Sequence, residues 1–68
     1  MSIYKTVELI GTSTDSWEDA AASAVKAASE SLRGLRVAEV VEQDIEISEN
    51  GLVYRTKLNV SFKYEGGA

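Results

Sequence analysis

Asn50-Gly51 lies between two long runs of strand-forming residues, and no other feature constrains this chain so tightly. Both residues tolerate the positive φ that a two-residue type I′ turn requires. After the turn, Leu52, Tyr54, Thr56, Leu58, Val60, Phe62 and Tyr64 alternate with Val53, Arg55, Lys57, Asn59, Ser61 and Lys63. That period of two belongs to a strand with two distinct faces. Before the turn, Val37 to Ile47 is rich in β-branched residues. Residues 35–64 therefore read as one long hairpin. Only one helix's worth of chain is left to cover it, and a sheet of this size must find partners.

The remaining chain supplies one strand and that helix. Ile3 to Ile10 reads as a first strand, with Val7 and Leu9 opposed to Thr6 and Glu8. Gly11-Thr12-Ser13-Thr14-Asp15 reads as a break built from turn-forming and capping residues. Ser16 is placed to cap a helix, with Glu18 and Asp19 in the first turn, where carboxylates favour the dipole. The helix is expected from about Trp17 to Leu32, stopping near Gly34. Its apolar stripe is Trp17, Ala21, Ala24, Ala28 and Leu32, with Val25 beside it. Lys26, Glu30 and Arg33 fall on the opposite face, with a favourable Glu30–Arg33 spacing. Alanine buries little area but lets a helix axis lie close to a sheet. The order is β-α-β-β, an α+β fold in a single domain spanning residues 1–68.

Size then sharpens the question of partners. A chain of 68 residues buries only about 60% of its unfolded surface, and a core of that size supplies roughly 3–5 kcal/mol. With no Cys and no His, disulfides and zinc-finger-like sites are closed to it. Self-association remains, with or without a cation held by oxygen ligands. No export signal and no apolar run of membrane-spanning length is present, so a cytoplasmic protein without a membrane partner is the default expectation. A net charge of −4 with no basic run argues against nucleic acid. The Gly66-Gly67-Ala68 tail is expected to fray.

If Asn50-Gly51 closes a two-residue turn, Glu46 faces Arg55 and Asp44 faces Lys57 on one side of the sheet. Ile45 then faces Thr56, and Val41 faces Val60, on the other. A longer loop would shift those partners. The pairing accounts for most of the acidic run Glu42, Asp44 and Glu46 as a salt-bridged face. The same carboxylates, with Asp15 and Glu39, are also hard oxygen ligands for calcium or magnesium, although no EF-hand spacing is present. Of these, Asp15, in the loop before the helix, and Glu42, outside the two expected salt bridges, are the candidate metal ligands. Enzyme signatures are absent: the usual general base and thiol nucleophile are missing, and Gly11-Thr12-Ser13 resembles a phosphate loop only superficially. Trp17, the single Trp, fits a lid on the helix–sheet core better than a ligand platform.

Several of these segments carry a family likeness. Val7 through Ser13, the Ala-rich helix, Val37-Ala38-Glu39-Val40-Val41-Glu42-Gln43 and Lys57-Leu58-Asn59-Val60-Ser61-Phe62 together resemble a dodecin, over nearly the whole chain and in the same order. The resemblance implies a three-stranded antiparallel sheet wrapped around one helix, and a hollow homododecamer in which neighbours cover the exposed sheet. It also implies a non-enzymatic protein that stores or sequesters flavin (riboflavin or FMN), stacked between tryptophans and hydrogen-bonded by a glutamine. This chain departs from that pattern at both positions. Val37 stands where the stacking Trp is expected, and Arg55 where the glutamine is expected. Valine has no π-face, and arginine cannot accept a hydrogen bond but attracts anions. In both departures the chain is similar to a calcium-binding branch of the family. Flavin by family default, a divalent cation, or a structural shell without ligand are the functional expectations.

Overall fold

The computed structural model describes residues 2–64; the tail expected to fray lies outside them. Four elements follow in the order β1 (Tyr4–Ser13), α1 (Trp17–Ser29), β2 (Leu35–Ser48) and β3 (Gly51–Lys63). This is the expected β-α-β-β arrangement. The strands form one antiparallel sheet with β3 in the centre, in the order β1-β3-β2. The helix lies over β1 and β3 and leaves most of β2 uncovered.

β1 continues three residues past its expected end. Gly11, Thr12 and Ser13 stay in register with Thr56, Arg55 and Tyr54, so their backbone groups are satisfied by the sheet and not by a turn. The glycine serves packing. Gly11 is buried directly beneath the helix, where an added Cβ would overlap the Ala20 carbonyl oxygen and come within 3.0 Å of Ala24 Cβ. Ala20, outside the expected stripe, is the most buried helical residue and shares the core with Leu58, Val60 and Thr56. The low alanine face brings the helix backbone onto the sheet. Thr56, fully buried, donates its hydroxyl to the Trp17 carbonyl at 3.0 Å.

The helix starts as its sequence predicts. Ser16 Oγ accepts the Asp19 backbone N–H at 2.9 Å. Ser13 Oγ accepts the Asp15 N–H at 2.9 Å and donates its own hydrogen to the Asp19 carboxylate at 2.7 Å. The regular helix ends earlier than expected, at Ser29. Glu30 and Ser31 donate to the Ala27 and Ala28 carbonyls in a tighter final turn. Gly34 takes positive φ (+72°), but it redirects the chain into β2 and does not cap the helix. Arg33 lies beyond the helix, so the Glu30–Arg33 helical spacing does not apply.

The hairpin turn also differs from expectation. Ser48 pairs with Gly51, which puts Glu49-Asn50 in the loop. Positive φ falls on Gly51 (+125°), and no described non-glycine residue adopts it. A type I′ turn would force Asn50 into that region as well; the chain slides by one residue and spends only its glycine there. Ser48 Oγ closes the loop by donating to the Gly51 carbonyl at 3.2 Å. Cross-strand partners therefore move by two: Asp44 faces Arg55, Glu42 faces Lys57, Glu46 faces Val53, and Ile45 faces Tyr54. A shift of two keeps each side chain on its face, so the charged side stays charged.

Two irregularities in β2 then change faces. Val41 is an extra residue between the Val40–Leu58 and Glu42–Lys57 pairs, and Arg36 is another between Leu35–Phe62 and Val37–Ser61. Val41 accordingly does not face Val60, which is opposed by Ala38 and Val7. Simple alternation from Ile45 would put Val37 on the helix side. The bulge turns Val37 and Glu39 onto the opposite side, with Arg55 and Lys57.

Candidate functional site

The sheet face turned away from the helix gathers most of the candidate residues. β3 contributes Arg55 and Lys57, β1 contributes Glu8 and Ile10, and β2 contributes Val37, Glu39, Glu42, Asp44 and Glu46. Arg55 is clamped by the residue opposite it. Its Nε donates to Asp44 Oδ1 at 2.6 Å and its second terminal nitrogen to Asp44 Oδ2 at 2.9 Å. These hydrogen bonds hold the Asp44 carboxyl below its usual range and keep the Arg55 guanidinium more firmly protonated, helped by the nearby Glu46 and Glu42 charges. Lys57 sits between strands, with Nζ 3.7 Å from Glu8 and 3.9 Å from Glu42.

Glu42 is therefore engaged in an ion pair, contrary to the expectation that left it outside the cross-strand pairs. The cause is the slid register: Glu46, expected on Arg55, stands opposite Val53 and makes no ion pair among the described residues. Asp15 lies in the loop before α1, exposed, its backbone tied to Ser13. Asp15 and Glu42 are not brought together with a third acid: among the described residues of one chain, no three acidic side chains converge as a metal-holding group. Hard oxygen ligands of the kind calcium takes are present, spread over the loop before α1 and the face of the sheet.

Val37 and Arg55 are likewise not one site within a chain. Val37 is 61% exposed and pairs with Ser61; Ser61 lies six residue steps along extended β3 from Arg55, about 20 Å. The pair fits flavin poorly. Val37 offers no ring surface, and Arg55 has the Nε/Nη2 edge of its guanidinium on Asp44.

Trp17 is confirmed as a lid. Its ring meets Tyr54 edge-on (centroids 5.2 Å apart, planes at 76°), and its Nε1–H donates to the Asp44 backbone carbonyl at 3.0 Å. Sequence reasoning missed this second tie, which locks β2 at Asp44 to the start of the helix. The signal was available only in part: an indole in the first helical turn needs an acceptor for its N–H, but which carbonyl supplies it depends on the register.

Comparisons with known proteins agree with this geometry. The family described as Dodecin matches residues 3–65. The chain is 53% identical over 64 residues to the calcium dodecin of Mycobacterium tuberculosis, covering 93% of this chain and 90% of that protein. Its structure is similar to that of the calcium-chelating antigen calcium dodecin from the same organism, described as having a novel calcium-binding site (TM-score 0.86, 48% identity, covering 98% of this chain and 97% of that one). It is also similar to a mutant of the Thermus thermophilus dodecin (TM-score 0.90, 38% identity, covering 98% and 100%).

Proposed function

The chain belongs to the dodecin family, and from that premise we propose that it is a non-enzymatic, self-assembled shell that binds a divalent cation, calcium above all, in preference to flavin. The observation that carries the reading is the condition of the two flavin positions. Val37 cannot stack, and Arg55 is already paired with Asp44. The relatives named for calcium point the same way. A homododecamer is the assembly the family implies, and we place it in the cytoplasm. The exposed arm of the hairpin and the apolar groove beside α1, lined by Leu9, Ala24, Ala28 and Leu32, supply surface for neighbours to cover.

Cation binding fits the charge of such a shell. Carboxylates that are harmless in one chain become repulsive when symmetry gathers them at an axis, and a bound cation relieves that repulsion. Asp15 and Glu42 are the ligands we propose, with Glu46 added because the register leaves it without an ion-pair partner among the described residues. Calcium bound by the assembled form stabilises it by mass action.

The test is a pair of titrations. Millimolar calcium is expected to raise the melting temperature above that in sodium of equal ionic strength, and Asp15→Asn with Glu42→Gln to remove the rise. Riboflavin fluorescence is expected to stay unquenched by the wild type and to be quenched by Val37→Trp with Arg55→Gln. A calcium-indifferent melting curve, or bright yellow purified protein, overturns the proposal.

A further inference from the structure

We propose that Asp44 is a positioning residue that masks Arg55, so that this face of the sheet refuses phosphate-bearing ligands that Arg55 would otherwise capture. The inference rests on the reading of this face as the ligand-contacting one. A guanidinium recognises phosphate through two parallel N–H donors, the same fork it offers a carboxylate. In this chain Asp44 already takes a donor on each oxygen, at 2.6 and 2.9 Å. Burial is not what closes the site: the Arg55 and Asp44 side chains are 43% and 52% exposed. An incoming anion could reach the guanidinium; it finds the side-on Nε/Nη2 edge taken and meets the negative charge of the Asp44 carboxylate beside the remaining donors.

The mask is held from behind. Asp44 lies within the β2–β3 ladder, and its carbonyl accepts the Trp17 Nε1–H, with Trp17 braced on Tyr54. None of these restraints uses the Asp44 carboxylate. The backbone therefore presents that side chain to Arg55 whatever its charge, and a substitution can remove the mask without moving the strand. Glu42 and Glu46 add negative charge around Arg55, strengthening the rejection of anions. Lys57, two residues along the same face and held only by longer contacts to Glu8 and Glu42, supplies a second cation for a phosphate once the mask is gone. The ligand class that the mask excludes is the phosphate monoester or free phosphate dianion.

The test is calorimetric titration of the assembled protein with inorganic phosphate against chloride of equal ionic strength. Wild type is expected to show no phosphate-specific heat. Asp44→Asn and Asp44→Ser are each expected to gain affinity by at least about tenfold, the worth of a charge-assisted hydrogen bond. Adding Arg55→Gln is expected to abolish the gain. Trp17 emission serves as the internal control, because its hydrogen bond goes to the backbone of residue 44 and should survive in both variants. Phosphate binding by the wild type overturns the proposal, as does indifference to phosphate in both variants with Trp17 emission unchanged. A merely structural role for Asp44 would change stability without creating an Arg55-dependent phosphate response. Failure of calcium to stabilise the wild type bears on the cation reading and leaves this comparison intact.

Discussion

The two ends of the sheet live under different rules. Where α1 covers it, Gly11, Ala20, Thr56, Leu58 and Val60 are buried and every described buried side-chain polar atom has a partner. Toward the hairpin tip, Ile47 is 81% exposed and Ile45 and Leu52 are also open, although all three lie on the helix side of the strands. The chain extends 52 Å in its long direction with a radius of gyration of 13.9 Å, against about 11 Å for a compact domain of this length. α1 thus covers one end of the sheet. The other end carries core-type residues without a cover, a pattern that favours association.

The contrast can be broken most severely under the helix. Gly11→Ala places a methyl group against the Ala20 carbonyl, and neither backbone can yield without parting helix from sheet. Overpacking typically costs about 1–3 kcal/mol and occasionally more; a methyl group driven into unyielding backbone exceeds that range and reaches the upper end of what emptying a core site costs, about 5 kcal/mol. Thermal unfolding followed by circular dichroism is expected to show the largest loss of the set. A Gly11→Ala protein that melts with the wild type would show that the helix does not sit on β1 as described.

Next in size is a matched pair. Leu58→Ala removes a fully buried side chain and is expected to cost about 2–5 kcal/mol. Ile47→Ala in an isolated protomer should cost no more than about 0.5 kcal/mol. If the arm is an association surface, however, Ile47→Ala loses stability in a concentration-dependent way and lowers the mass seen by light scattering, whereas Leu58→Ala loses it at every concentration. Equal, concentration-independent losses would erase the distinction between the two regions.

The smallest effect belongs to the Asp44–Arg55 pair, because solvent screens exposed charges. Asp44 has its carboxyl lowered in the folded state, so its stabilisation is fully present above the unfolded Asp value, about 3.9, and is lost as pH falls through the folded one. Arg55 is raised; its share is present below the unfolded Arg value and is lost only as pH rises through the folded value, far into the alkaline range. Between pH 5 and 8 the difference in melting temperature between wild type and Asp44→Asn should stay constant, then shrink in acid. Carboxyl chemical shifts that place Asp44 at an ordinary titration midpoint would dissolve the clamp.

The four elements, their order and the long hairpin were legible in the chain, because hydrophobic periodicity and capping chemistry are local properties. Ser16 with Asp19, the alanine stripe and the alternation of β3 each need only neighbouring residues to declare themselves. The departures at Val37 and Arg55 are visible only against the pattern the family resemblance implies, although what each residue lacks, a π-face or an acceptor, is a property of its type. Tertiary structure decided three other things: which acid holds Arg55, which face Val37 occupies, and why Gly11 is glycine. The first depends on a turn that slid one residue so that only Gly51 takes positive φ. The second depends on a bulge at Val41 that no periodicity announces. The third depends on a helix carbonyl arriving from across the fold. Each is a contact between distant segments, settled by how backbones meet in three dimensions, and no window along the sequence contains both partners.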